Sequence, residues 1–225
     1  MAEEFDSDLS LTPKELAEHL RKPKGETGVN VGLQMNKGNK HICLNSYSVL
    51  NPNAGDVVLE IGMGNGFFIK DLMKKADNIR YTGVDFSKIM VQEASDINNE
   101  FLKQGKVQFF EASIENLPFE SNSFDCITTT NTLYFWPQPE QNIKELLRVL
   151  KPNGKLLVAY RSKKFMDKIE LSNYGFEKYE RLGVENLFKN GGFNKVNTQI
   201  INEPELSFDG ISYIMQGLYT TGIKI

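Results

Sequence analysis

The chain has 225 residues, 40% of them hydrophobic, with a formal net charge of -3 and a pI near 5.6. That is apolar material enough for one sizeable α/β core and too much for a disordered chain, and the mild acidity gives no overall field for nucleic acid or an anionic membrane. No apolar run approaches the roughly 18 residues of a membrane span, and "MAEEFDSDLS" lacks the basic and apolar regions of a secretion signal.

The two cysteines, Cys43 and Cys126, lie far apart and outside any metal-type spacing. They read as reduced thiols with no metal, and the expected compartment is the cytoplasm.

In chain order, the first ten residues read as a frayed tail. Thr12-Pro13-Lys14-Glu15 opens a helix to about Arg21, with Thr12 as cap and Glu15 bonding back to it. "KPKGETG" reads as a loop. Val29 to Asn36 and Asn39 to Leu50 read as two short helices, since Val31, Met35, Ile42, Leu44 and Val49 recur at helical spacing. The turn cluster "NPNAGD" ends this arm, residues 1–50, and a second unit, residues 51–225, follows.

From Val57 strands and helices alternate. Strands are expected at Val57–Glu60, Ile79–Val84, Val107–Glu111, Phe124–Thr130 and Lys155–Tyr160. Helices are expected at Phe67–Lys75, Ser87–Leu102 and Gln141–Leu150. Such alternation implies right-handed crossovers and a mostly parallel sheet covered on both faces. In the tail, "VENLFKNGGF" closes a helix on glycine, "KVNTQII" is a strand and "ISYIMQGLY" returns beside it, antiparallel because the link is short.

The stretch "VVLEIGMGNGFF" runs a strand into a glycine-rich loop. In an open α/β sheet, such a loop sits where ligands bind. Glycine permits positive φ and close approach, and a helix starting at Phe67 would leave amide N–H groups for an anion. The spacing G-x-G-x-G, without G-K-[ST], fits neither a dinucleotide nor a P-loop fingerprint. Glu60, at the strand end, would repel a pyrophosphate but would form a charge-assisted hydrogen bond with an ammonium group. The ligand that suits both halves is zwitterionic. Asp85 ends the next strand, roughly twenty residues on, where an acid binds a ribose diol. Phe86 and Met90 can pack on an adenine face, and Ser113 and Ile114, after the third strand, suit an adenine edge. Each residue also has a plainer role open to it: Glu60 or Asp85 as a helix cap, the apolar pair as core.

With "VLEIGMGNG", "GVDFSKIM", "ENLPFESNSFDCI" and "LLRVLKPNGKLLV" in this order, the chain resembles the class I S-adenosylmethionine-dependent methyltransferases, near the ubiquinone and menaquinone biosynthesis group. The resemblance covers about Asp56 to Tyr160 and, more weakly, the tail to Tyr219. It implies a Rossmann-like, doubly wound seven-stranded sheet, mostly parallel with the last strand antiparallel, plus the N-terminal helical arm. It implies S-adenosyl-L-methionine as cofactor, with Glu60, Ile61, Gly62, Gly64 and Gly66 at the methionine moiety. Asp85 falls at the ribose, Phe86, Met90, Ser113 and Ile114 at the adenine, and Asn131 at the methionine moiety. Ser113 departs from the family, which commonly has Asp there.

The resemblance also implies methyl transfer to a small-molecule acceptor. The group "YFW", Tyr134 to Trp136, suggests an aromatic mouth for an apolar or flat one. Phe165, Met166, Tyr174, Phe176 and Tyr179 offer a roof. The chain has neither a D/N-P-P-Y/F/W loop nor a Pro-Cys, which disfavours nucleic-acid bases as acceptors. His41, Tyr134 and Tyr160 are the candidate bases, and no catalytic residue is singled out. A catalytically silent cofactor-binding subunit and a nicotinamide-dependent oxidoreductase are the alternatives. Oligomeric state is unread.

Overall fold

The computed structural model describes residues 3–5, 10–208 and 211–225, with side chains for 10–205 and 214–225. Of the tail expected to fray, residues 1–2 and 6–9 lie outside the described residues, but Glu3–Phe5 is a strand, β1. Helix α1 is Pro13–Arg21, opened by the expected capping box: the Glu15 amide donates to Thr12 Oγ1 at 3.3 Å, and the Thr12 amide donates to Glu15 Oε2 at 2.9 Å.

The expected loop and two short helices are instead one 26-residue helix, α2, Gly25–Leu50. Three interior glycines each cost it about 1 kcal/mol against alanine. Packing overrides that: Ile42, Tyr47 and Leu50 are buried with Val58, Leu157, Ala159 and Tyr219 of the sheet. The helix stops where Asn51 turns left-handed, at φ 46°.

There follow β2 (Val57–Ile61), α3 (Ile69–Leu72), β3 (Arg80–Asp85), α4 (Lys88–Ile97), α5 (Asn99–Lys103), β4 (Val107–Glu111) and β5 (Phe124–Thr130). Helix α3 is far shorter than the expected Phe67–Lys75. The expected helix Ser87–Leu102 is broken at Asn98, whose buried side chain donates to Gly66 O at 3.1 Å and to Ala94 O at 2.9 Å. A helix interrupted by a side chain bonded to its own carbonyls is thereby tied to the glycine loop.

Next come α6 (Pro139–Val149), β6 (Leu150–Tyr160), α7 (Lys163–Met166), α8 (Arg181–Asn190), β7 (Asn194–Asn202), β8 (Leu206–Phe208), β9 (Ile211–Tyr213) and β10 (Gln216–Ile223). Strand β6 starts five residues before the expected Lys155, because Leu150 already pairs with Phe124.

The main sheet has seven strands in the order β4-β3-β2-β5-β6-β10-β7. β2, β3, β4, β5 and β6 are parallel, and β10 runs antiparallel to both β6 and β7. Strand order reverses between β2 and β5, which opens a crevice at their carboxyl ends. A second sheet, β1-β8-β9, pairs Glu3–Phe5 parallel to Leu206–Phe208.

Both faces of the main sheet are covered. Leu59 joins the core shared with Ile143, Leu146 and Phe188 of α6 and α8, while its neighbour Val58 points to the α2 side. That alternation is the pleat of a strand buried on both sides, each such side chain contributing about 2 kcal/mol by burial.

Candidate cofactor and acceptor site

One cavity of about 480 Å³ opens at the switch point. Glu60, Ile61, Gly62, Gly64, Gly66, Asp85, Phe86, Met90, Ser113, Ile114 and Asn131 all line it. Residues from four separate strand ends thus converge on one space.

The loop after β2 depends on glycine in two ways. Gly62, at φ +69°, lies so close to the β5 turn that a Cβ would meet Thr132 Cγ2 at 2.3 Å. Gly64, at φ +58°, has nothing within 4 Å of its absent Cβ, so bare backbone faces the cavity there.

Several of the loop's amides, expected as free donors, are already used. Gly62 N–H donates to Val84 O at 2.7 Å, Gly64 N–H to Asp85 Oδ2 at 3.1 Å, and Phe67 N–H to Asn65 Oδ1 at 3.3 Å. The loop is held by its own contacts. Amide side chains stand beside it: Asn36 and Asn39 of α2 line the cavity, and Asn39 Oδ1 accepts from Asn131 Nδ2 at 3.0 Å.

Glu60 is 5% exposed and accepts from the phenols of Tyr47, at 3.0 Å, and Tyr81, at 2.8 Å. Burial pushes its carboxyl up to about 7, and the two phenols pull the other way. Asp85 accepts from the Ser87 and Gly64 amides, at 2.8 and 3.1 Å. Burial raises it to about 6 against those two bonds. Neither acid has an ion-pair partner among the described residues. Two buried carboxylates on one cavity, each satisfied only by neutral donors, suit a ligand that brings an ammonium and hydroxyls.

The end of the cavity at Phe86 is half open. Phe86 is 36% exposed, with Lys22 Nζ 5.1 Å above its ring, and Met90 is buried against Gly32 of α2. Ser87 Oγ donates to Pro23 O at 2.6 Å, so the joint between α1 and α2 is fastened over this end.

Much of the remaining wall is apolar, with Leu20, Met35, Phe135, Phe165, Met166 and Phe176. Tyr134 and Trp136 line it too but are largely used internally. Tyr134 Oη donates to Asn131 Oδ1 at 3.2 Å and accepts from the Arg161 amide at 2.5 Å, while Trp136 Nε1 donates to Thr132 Oγ1 at 3.1 Å. Of the expected roof, Tyr174 and Tyr179 do not line the cavity.

Of the three candidate bases only Tyr134 faces this space, and burial pushes its phenol well up, away from base duty. His41 faces a small neighbouring pocket with Lys37 and Glu203, and Tyr160 is buried against Thr220. His19 of α1, unremarked in the sequence, lines the main cavity with a buried Nδ1 that has no hydrogen-bond partner. Tyr47 and Tyr81 were also unmarked, being 13 and 21 residues from Glu60 with no local signal.

Comparison with known proteins bears on the fold and the family. Residues 59–158 match the family model for the methyltransferase domain. The chain is 27% identical over 169 residues to the uncharacterised methyltransferase YdaC of Bacillus subtilis, covering 73% of the chain and 87% of that relative. It is 37% identical over 115 residues to the ubiquinone/menaquinone biosynthesis C-methyltransferase UbiE of Pseudomonas fluorescens. That match covers 49% of the chain and spans 43% of the relative's length. A solved S-adenosylmethionine-dependent methyltransferase of Aquifex aeolicus superposes with TM-score 0.66 at 19% identity, covering 96% of this chain and all of that one, a likeness of fold. The match at residues 59–158 and the shared fold make the core of this chain similar to a class I methyltransferase domain. Among the described residues no helix is long and apolar enough to cross a membrane.

Proposed function

We propose that the chain is an enzyme transferring the methyl group of S-adenosylmethionine to a small, apolar or flat acceptor. The observation that carries this is the pair of buried acids, Glu60 and Asp85, sharing a cavity whose far wall is apolar. In this reading residues 51–225 are the methyltransferase unit and residues 1–50 its cover.

Glu60 takes the ammonium group, Asp85 the ribose hydroxyls, and Asn39 the carboxylate. Phe86, Met90 and Ile114 enclose the adenine. The cofactor supplies an electrophilic methyl on a sulfonium, and the acids stand at its ends, where they bind without favouring the charged ground state at the reacting carbon. Val31, Met35 and Phe176 exclude water, so that alignment provides most of the rate. His19 is the polar group that meets the acceptor, accepting its hydrogen if it is a phenol or enol.

Titration calorimetry with S-adenosylhomocysteine, followed by a labelled-methyl screen of quinols, phenols, amines and thiols, tests both halves. We expect binding of the product cofactor and turnover on an apolar hydroxyl or carbon acceptor. Failure to bind sinks the reading, and binding without turnover on any class leaves a silent subunit.

A further inference from the structure

Resting on that cofactor reading, we propose that Glu115, not Ser113, reads the adenine edge and makes the site selective for a 6-amino purine over a 6-oxo one. After β4 the chain turns tightly, with the Asn116 amide donating to Ser113 O at 3.2 Å. Within that turn the Ser113 hydroxyl donates its only hydrogen to Glu115 Oε2 at 3.1 Å and accepts from the Glu115 amide at 3.3 Å. The serine is thus committed to positioning its neighbour.

Glu115, exposed to solvent, is among the residues lining the cavity with Ile114, Phe86 and Met90. An acid two residues on thus lies within hydrogen-bond distance of the serine hydroxyl. An ionised carboxylate only accepts hydrogen bonds, and Glu115 keeps most of its lone pairs open. It therefore welcomes the N–H donors of an exocyclic amine and repels a carbonyl oxygen in the same place. Ser113 alone, able to donate or accept, would distinguish the two poorly.

The test is calorimetric titration of the full chain with S-adenosylhomocysteine and its 6-oxo analogue, S-inosylhomocysteine. The unaltered protein should prefer the amine by on the order of tenfold or more. Glu115→Gln, which can donate as well as accept, should bring the ratio towards one. Ser113→Ala should keep a preference. Adding Ser113→Asp to Glu115→Ala should restore one, by returning an acid to the position the family commonly fills. Loss of discrimination in Ser113→Ala with none in Glu115→Gln overturns the assignment in favour of the serine. Equal affinity of the unaltered protein for both ligands also overturns it. If neither ligand binds, the cofactor reading itself fails, and this proposal with it.

Discussion

At the residue scale the site turns on Glu60. A strand-end acid beside a glycine loop was legible in the sequence because strand, acid and loop are contiguous. Its setting was not, since the two phenols that satisfy it come from α2 and from β3. Burial raises its carboxyl to about 7, so the ligand-free protein holds the proton there below neutrality. An ammonium group needs the carboxylate, so binding expels that proton. The affinity for S-adenosylhomocysteine should therefore fall as the pH drops from 8 to 6. Glu60→Gln should bind about ten- to a hundredfold more weakly at pH 8 and lose most of that slope. Calorimetry across this range decides it; equal slopes in both proteins would separate Glu60 from the ammonium group.

At the element scale, the sequence-based strands mostly match the structure, because buried parallel strands are short apolar runs with clear punctuation. Helices fared worse. Asn36, Gly38 and Asn39 resemble a break, yet α2 runs through them, held by contacts its own sequence does not display. Asn98 did the reverse, ending a helix by bonding to the glycine loop.

The most consequential contact between elements is also non-local. Arg161, just past β6, forms two hydrogen bonds to Glu203, just past β7, at 2.6 and 2.8 Å, with side chains 5% and 3% exposed. Breaking one half strands a buried charge. Glu203→Ala should lower unfolding free energy by about 3 kcal/mol or more, whereas Arg161→Met with Glu203→Leu should come close to the parent. Urea denaturation of both variants checks this. A larger loss in the double variant would mean that the pair contributes more than its own compensation.

At the scale of the whole molecule, the alternation of strands and helices was enough to read a mostly parallel sheet covered on both faces, and the short link before the last strand its antiparallel direction. The sheet β1-β8-β9 was not readable, since three-residue strands carry no period and the pairing joins the first residues to a segment some two hundred positions later.

Helix α2 gives the molecule its division of labour. Ile42, Tyr47 and Leu50 belong to the sheet's core, with Cys43 and Tyr47 also reaching the cavity beside Glu60, while Val31, Gly32 and Met35 line the cavity without that anchor. Bound cofactor should stabilise the second part most. Hydrogen exchange should slow more in residues 25–38 than in 42–50 on adding S-adenosylhomocysteine. Uniform protection along the helix would show that it responds as one rod.

Trp136 is the chain's single tryptophan, and it stands on the cavity wall with its N–H held by Thr132. Light absorbed by indole alone therefore samples this one crevice and no other part of the protein. Its emission offers an intrinsic, label-free signal for following the arrival and departure of ligands in real time.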